Sequence, residues 1–334
     1  MELQPELRET RAESFFPDDA KDLLICPGCR GDLSWSATRA RCASCKRDYP
    51  IVDGIPVLLL DVKLAEHDEL DHHHGAAHVN GQKQGQMEFF DSAVSREFEI
   101  MRPHGTPALY RWHYETKFRK SITGLESVLA GATVLTVCGG SGMDAEYLAS
   151  RAARVITSDI SLGATKRARE RARRFNLALT PIVADVERLP FRSRSVDLAY
   201  VHDGLHHLER PLRGLAEMIR VAARAVSVTE PAEAFATAVA VRLGLALERE
   251  EAGNVVARLR PANVVREITR NGFEIVNIER YAMYHKHEPG RLIWALSLPG
   301  IFPLSAATVR FANLIVGRWG NRLTVGAVRA GSRS

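Results

Sequence analysis

Residues 134–142 read Val-Leu-Thr-Val-Cys-Gly-Gly-Ser-Gly, an apolar run that ends abruptly in a loop of small side chains. A helical pattern from Met143 to Ala152 follows at once. Such a strand–turn–helix lets backbone N–H groups and a helix N-terminus approach a ligand closely. About twenty residues on, a second apolar run, Val155-Ile156-Thr157-Ser158, ends in Asp159. An acid placed there accepts both hydroxyls of a ribose, the logic of nucleotide sites at the switch point of an open α/β sheet.

The rest of the chain fits that frame. From residue 133 onward apolar runs alternate with helical patterns, with strands expected near 133–138, 154–158, 180–184, 196–201 and 225–229. This alternation implies a parallel sheet with helices on both faces. The 334 residues suffice for one large and one small domain. Residues 1–20 read as a flexible lead, 21–62 as a compact Cys-rich unit and 63–85 as a His- and Gly-rich linker. The main domain spans 86–334, opening with amphipathic patterns such as Phe118, Ile122, Leu125 and Leu129. Residues 1–22 are polar and acidic without the apolar core of a signal peptide, and no run of about 18 apolar residues exists to span a membrane. A net charge of +5 permits nucleic acid as a partner without requiring it.

Cys26-Pro-Gly-Cys29 and Cys42-Ala-Ser-Cys45 are two Cys-x-x-Cys pairs twelve residues apart. Each pair suits a tight knuckle, and four thiolates complete a tetrahedral Zn²⁺ site. So small a unit cannot bury enough apolar surface to fold unaided, so the metal supplies folding energy and the role is structural. Four of five cysteines in close pairs suit a reducing compartment, which places the chain in the cytoplasm. With Leu23-Leu24-Ile25-Cys26-Pro27 before it and Tyr49-Pro50-Ile51-Val52-Asp53-Gly54-Ile55-Pro56 after it, the unit resembles the small zinc-ribbon activator proteins that partner tRNA and protein methyltransferases. The resemblance implies a ribbon that stabilises and partly covers a methyltransferase, here fused to it.

Residues 111–284 and 322–330 resemble the class I S-adenosylmethionine (SAM) dependent methyltransferases of the small-molecule type. The resemblance rests on 134–142, on Asp159, and on Ala184-Asp185-Val186-Glu187-Arg188-Leu189-Pro190-Phe191 followed by 195–201. It rests also on Leu205-His206-His207-Leu208, Leu215–Val221 and Val226–Pro231. It implies a Rossmann-like seven-stranded sheet, SAM as cofactor, and a cofactor site formed by Thr136, Cys138, Gly139, Gly140, Gly142, Asp159, Ile160, Asp185, Val186 and His202. In that family Asp185 would hold the adenine amino group. Two positions depart from the pattern: Thr136 stands where the family has an acid for the methionine ammonium, and Cys138 where it has glycine.

Methyl transfer from a sulfonium needs an in-line nucleophile and exclusion of water, with a base where the nucleophile is a hydroxyl or acidic C–H. His206 and His207, in the loop after the fourth strand, are the candidates for that base; the alternative is that they cap a helix or pack in the wall. The loop lacks the Asn/Asp-Pro-Pro-aromatic string of many amino-nucleobase methylases. Glu274–Tyr281 and Arg322–Val328 read as the sixth and seventh strands, and the resemblance implies that the seventh runs antiparallel. The insertion between them, about 285–321, is apolar and is expected over the acceptor pocket. That character suits an apolar acceptor, a homodimer contact, interfacial membrane docking or plain core packing. Further candidates are a pocket-covering helix near 232–258 and a lid from Met87–Phe90 and Tyr110–Lys117. The cluster His67, His72, His73, His74 and His78 reads as a solvated loop rather than a metal site, and the basic run Lys166–Arg174 as a solvated helix face.

The sequence thus predicts a SAM-dependent methyltransferase acting by O- or C-methylation on a small or lipid-like acceptor. The rivals are an rRNA or tRNA methyltransferase and a non-catalytic SAM-fold scaffold.

Overall fold

A computed structural model describes residues 16–60, 81–92, 96–151, 154–234, 258–283 and 287–331. The N-terminal unit contributes β1 (Leu33–Trp35), β2 (Arg39–Cys42), β3 (Asp48–Val52) and β4 (Ile55–Leu58). Three helices follow, α1 (Gly81–Asp91), α2 (Arg96–Met101) and α3 (Ala108–Ile122). Alternation then begins with β5 (Thr133–Val137), α4 (Met143–Ala149), β6 (Arg154–Asp159), α5 (Leu162–Arg174) and β7 (Leu179–Ala184). It continues through β8 (Val196–His202), α6 (Pro211–Val221), β9 (Ala222–Pro231), α7 (Pro261–Arg270) and β10 (Phe273–Tyr281). The insertion forms α8 (Arg291–Leu296) and α9 (Phe302–Val316) before β11 (Arg322–Arg329).

The strands make one sheet in the order β1-β2-β3-β4-β7-β6-β5-β8-β9-β11-β10. Strands β7, β6, β5, β8 and β9 run parallel, and β11 lies antiparallel between β9 and β10. All seven strands expected of the large domain therefore form, with the seventh reversed. Their apolar runs are continuous because both faces are covered. Leu135, Val137, Ile156 and Val201 pack on one side with Leu215 and Met218 of α6, while Val134, Val155, Leu198 and Tyr200 pack on the other with Leu148 and Ile122.

The Cys-rich unit extends this sheet. Strand β4 pairs in parallel with β7, Val57 opposite Val183 and Leu58 opposite Ala184. Ile25 N–H donates to Pro190 O at 2.9 Å, and Arg192 N–H to Leu23 O at 2.9 Å. Arg30 reaches Glu217 of α6 at 3.0 Å. The helical turn Asp18–Lys21 straddles the end of the segment 1–20 read as a flexible lead, and within that segment Phe16 stacks on Trp35 at 5.8 Å between ring centroids.

One expectation is corrected. The basic run of α5 is not a wholly solvated face. Arg171 is fully buried: it donates to Glu146 Oε2 (2.6 Å), Ser141 O (2.8 Å), and Glu99 O and Arg102 O (2.7 Å each). Arg167 is buried too, donating to Ser141 Oγ and Phe90 O. A guanidinium sheds water only when its donors are used, and here they tie α2, α4 and the glycine loop together. Arg173 and Arg174 point outward, paired with Glu170.

Candidate cofactor cradle and four-cysteine cluster

Between β5 and α4 the backbone turns through three residues of positive φ: Cys138 (52°), Gly140 (53°) and Gly142 (78°). Gly139 N–H donates to Ser158 O at 3.0 Å, and a Cβ at Gly139 would stand 2.2 Å from Thr157 Oγ1. Only glycine lets the loop lie this close over the strand ends. Gly140 N–H then donates to Asp159 Oδ2 and Ser161 N–H to Asp159 Oδ1, both at 2.9 Å. Burial raises the Asp159 carboxyl above its usual range, opposed by these two N–H groups and Arg167. At the end of β7, Asp185 accepts Glu187 N–H at 2.9 Å on one oxygen and the Lys83 ammonium at 2.6 Å on the other. Val186 is buried beside it, and Ile160 packs against the cluster of Met87, Leu59 and Val183. Gly139, Gly140, Gly142, Asp159, Ile160, Asp185 and Val186 thus gather at the carboxyl ends of three adjacent parallel strands, where α/β sheets bind ligands.

Thr136 and His202 are placed otherwise. The buried Thr136 hydroxyl donates to Thr157 Oγ1 at 2.8 Å on the face it shares with Val134. The His202 ring lies 4.8 Å from that of Phe118 and 6.4 Å from that of Tyr114, and its buried Nε2 has no hydrogen-bond partner among the described residues. Burial, then the Lys117 charge, drives its pKa well below the ordinary histidine value, so it sits as a neutral wall group. The Cys138 side chain packs on Gly204, where a Cβ would come within 2.4 Å of the Cys138 Cβ. The unusual side chain in the loop is accommodated by a glycine opposite. Burial, with Asp159, Glu230, Asp185 and Asp144 around it, keeps the thiol protonated.

His206 is buried, and its Nδ1–H donates to Glu230 Oε2 at 2.7 Å. Glu230, fully buried at the end of β9, also accepts Gly204 N–H (2.8 Å) and Leu205 N–H (2.7 Å). This leaves His206 Nε2 as the basic nitrogen, the arrangement of an oriented general base. His207 stacks beside His206 at 4.1 Å and meets the edge of Phe90.

Sequence reading did not single out Glu230, Lys83, Lys117, Asp203, Arg322 or Asp144. Lys117 and Arg322 both donate to Asp203, fixing the loop after β8. Burial depresses the Lys117 ammonium to a pKa of about 8, with Asp203 opposing. Asp144, in the first turn of α4, accepts Ala145 N–H at 2.8 Å on Oδ1, while its buried Oδ2 has no partner among the described residues. Burial pushes its carboxyl up to about 7. The position of Glu230 at a strand's carboxyl end was the signal available for it. Asp203, directly after β8, carried the same signal, and nothing local marked the others.

Helix α1 lies along the cradle. Besides Lys83, Gln86 donates to His207 O at 2.6 Å, and Asp91 accepts Ser161 Oγ–H at 2.5 Å and Gly163 N–H at 2.7 Å. The insertion packs on α3: Leu109, Tyr110, Tyr114, Phe118 and Met143 form one apolar cluster with Ile293, flanked by Leu296 and Phe302. It runs from Met143, directly after the glycine loop, to the insertion. The His67–His78 cluster lies outside the described residues, as do 235–257 of the second expected cover.

The sulfurs of Cys26, Cys29, Cys42 and Cys45 all lie within 4.8 Å of one another. Both knuckles close on left-handed residues, Arg30 (φ 62°) and Lys46 (φ 63°). Tyr49 Oη lies 3.0 Å from Cys26 Sγ, within hydrogen-bond range of a thiolate.

Residues 135–225 match the family model described as a methyltransferase domain. The C-methyltransferase UbiE of ubiquinone/menaquinone biosynthesis from Bordetella parapertussis is 34% identical over 139 residues, 40% of this chain and 51% of that protein. The chain contains a methyltransferase domain. It spans about half the length of that curated relative. Demethylmenaquinone methyltransferase of Thermobifida fusca is 30% identical over 108 residues, 32% of this chain and 46% of the relative. A further stretch belongs to the UPF0434 family: the Methylobacillus flagellatus member is 41% identical over 59 residues, 16% of this chain and 98% of that protein. Among solved structures, magnesium protoporphyrin IX methyltransferase from Synechocystis with bound SAH superposes with a TM-score of 0.53 at 17% identity, covering 74% of this chain and 100% of that one. Geranyl diphosphate methyltransferase with GPP and sinefungin gives 0.51 at 11% identity, covering 75% and 100%. These two likenesses establish the methyltransferase fold.

Proposed function

We propose that this chain is a SAM-dependent methyltransferase that methylates a small, apolar, lipid-like acceptor at oxygen or carbon. The observation that carries the reading is the junction of Gly140 N–H with the Asp159 carboxylate, beside Asp185, at the ends of β5, β6 and β7. Asp159 takes the ribose hydroxyls, Asp185 the adenine amino group, and Ile160 and Val186 flank the adenine ring. Thr136 is neutral and occupied, so the negative charge for the methionine ammonium comes from Asp144, whose free oxygen is buried near Cys138 and Asp159. Four carboxylates around the loop, Asp144, Asp159, Asp185 and Glu230, suit a ligand carrying both a sulfonium and an ammonium.

When bound, SAM supplies an electrophilic methyl group. The protein's part is to align the acceptor, exclude water and take a proton. His206 Nε2 is the acceptor of that proton, with Glu230 holding the ring and stabilising the imidazolium. The apolar cluster of α3 and the insertion suits an apolar acceptor, as do relatives named for ubiquinone and menaquinone methylation. The four-cysteine cluster holds Zn²⁺ as a closed structural site, since four thiolates leave no open position. A reducing compartment, the cytoplasm, fits those thiolates.

One observation favours a non-catalytic scaffold instead: Lys83 already occupies Asp185. Calorimetric titration with SAM and S-adenosylhomocysteine, followed by methyl transfer from labelled SAM to a prenylated hydroquinone, decides between them. Micromolar cofactor binding and labelled product support the enzyme. No binding by folded protein supports the scaffold.

A further inference from the structure

Helix α9 contradicts its surroundings. Its inner face, Phe302, Ala306, Val309 and Asn313, is seated on the protein, with Asn313 bonded to Ala282 N–H and C=O at 2.7 and 2.9 Å. Its outer face should be polar in a surface helix. Instead Leu304, Phe311, Leu314 and Ile315, spaced to share one side, are 69%, 64%, 84% and 57% exposed. Trp294 of α8 and Trp319 just beyond α9 are more than half exposed as well. An apolar face this continuous marks an interaction site rather than scattered exposure.

The charges select its partner. Residues 291–321 contain three arginines, Arg291, Arg310 and Arg318, and no aspartate, glutamate or lysine. None of the three forms an ion pair among the described residues; Arg310 lies over Trp112 and Arg318 over Trp319. A two-fold contact between copies of this chain would set the patch against itself, three arginines on each side and no carboxylate within 291–321 to meet them. An anionic lipid surface satisfies both parts of the face. Hydrocarbon takes the leucine, phenylalanine and isoleucine side chains, phosphates take the guanidiniums, and the tryptophans suit the headgroup boundary. At fifteen residues, with Pro303 in its first turn, α9 is too short to span and lies in the plane of the surface.

We propose that α8 and α9 dock the protein on anionic membrane surfaces, with Phe311, Leu314 and their neighbours inserted at the acyl boundary and Arg310 and Arg318 on lipid phosphates. The docking stands on this face alone. That it presents a membrane-borne acceptor through the cluster of Ile293, Tyr110 and Met143 rests on the methyltransferase reading.

The test is co-sedimentation of the full chain with phosphatidylglycerol/phosphatidylcholine vesicles and with pure phosphatidylcholine vesicles, with tryptophan emission recorded in parallel. The expected result is binding to the anionic vesicles, a blue-shifted emission and little binding to the neutral ones. Phe311→Glu with Leu314→Glu, and separately Arg310→Glu with Arg318→Glu, each weaken it by roughly tenfold or more. Absence of binding overturns the proposal, as does equal binding by the variants. A dimer that does not bind vesicles and is split by the Phe311→Glu/Leu314→Glu pair also overturns it and assigns the face to a second copy. SAM titration of the same preparations without lipid judges the methyltransferase reading separately, so either can fail while the other stands.

Discussion

The Lys83 ammonium sits 2.6 Å from one carboxylate oxygen of Asp185 and 3.2 Å from Glu187. Helix α1 thereby covers the acid proposed for the adenine amino group, and SAM binding has to displace or share that contact. Lys83 and Asp185 are only 18% and 24% exposed, and so shielded an ion pair contributes about 1 kcal/mol. Lys83→Met is therefore expected to tighten SAM binding by up to about fivefold. Calorimetry on the two proteins checks this; weaker binding by the variant would make Lys83 a cofactor ligand instead of a latch.

Asp159 braces the loop through Gly140 and Ser161 and is the acid proposed to receive the ribose. Asp159→Ala strands two N–H groups and removes the ribose contact, so SAM affinity is expected to fall by roughly a hundredfold or more. Asp159→Asn keeps one acceptor oxygen and should lose less. Titration of both variants, with melting curves to confirm folding, tests the ordering.

The sheet was legible because period and punctuation agree: each of the runs at 134–137, 155–159, 179–184 and 196–202 is apolar on both faces and stops at a loop. The cradle was legible for the same reason, since Asp159 and Asp185 end strands. Side-chain direction was not. Thr136 and His202 follow the strand alternation into the wall, and Arg171 turns inward because Glu99, Arg102, Ser141 and Glu146 surround it. Those partners lie 25 to 72 residues away in sequence, and no local pattern announces them. Lys83 fell in a segment whose composition reads as linker, and its partner is 102 residues on.

The four-cysteine unit should be coupled to the cofactor site. Strand β4 pairs with β7, and β7 delivers Asp185. Chelation of zinc is expected to lower the melting temperature by several degrees, on the order of 2–4 °C per kcal/mol lost, and to weaken SAM binding as well. Tyr49→Phe removes the hydroxyl beside Cys26 and should lower zinc affinity about tenfold without metal-free unfolding. Competition with a chromogenic chelator measures it.

If His206 is the base, removing it should spare cofactor binding and lower turnover. His206→Ala is expected to reduce kcat by roughly 10²–10⁴. Glu230→Gln acts as a positioning change: it weakens the hold on Nδ1–H and destabilises the imidazolium, moving the pH profile of kcat as well as its height. An unchanged profile in Glu230→Gln with normal SAM binding would leave Glu230 only a brace for the Gly204–Leu205 backbone.

Asp144 is expected to make both stability and cofactor affinity depend on pH. Burial holds its carboxyl at about 7, partly relieved by Arg171 and the Ala145 N–H and reinforced by Asp159. The unfolded value is about 3.9. Because the folded pKa is raised, the native state holds the extra proton; this contribution to stability is complete below about pH 4 and is lost as pH rises through about 7. Asp144→Asn, which keeps the acceptor for Ala145, should therefore raise the melting temperature at about pH 8 and leave it unchanged near pH 4. Cofactor affinity moves the other way. A cationic ligand binds the carboxylate, so SAM affinity in the wild type should rise up to tenfold per pH unit below about 7 and level off above it. The same titrations on Asp144→Asn should give a flat, weaker curve. A wild-type curve that is flat from about pH 6 to 8, with the variant equal to it, would remove Asp144 from the methionine end of the site and leave the vacancy at Thr136 uncompensated.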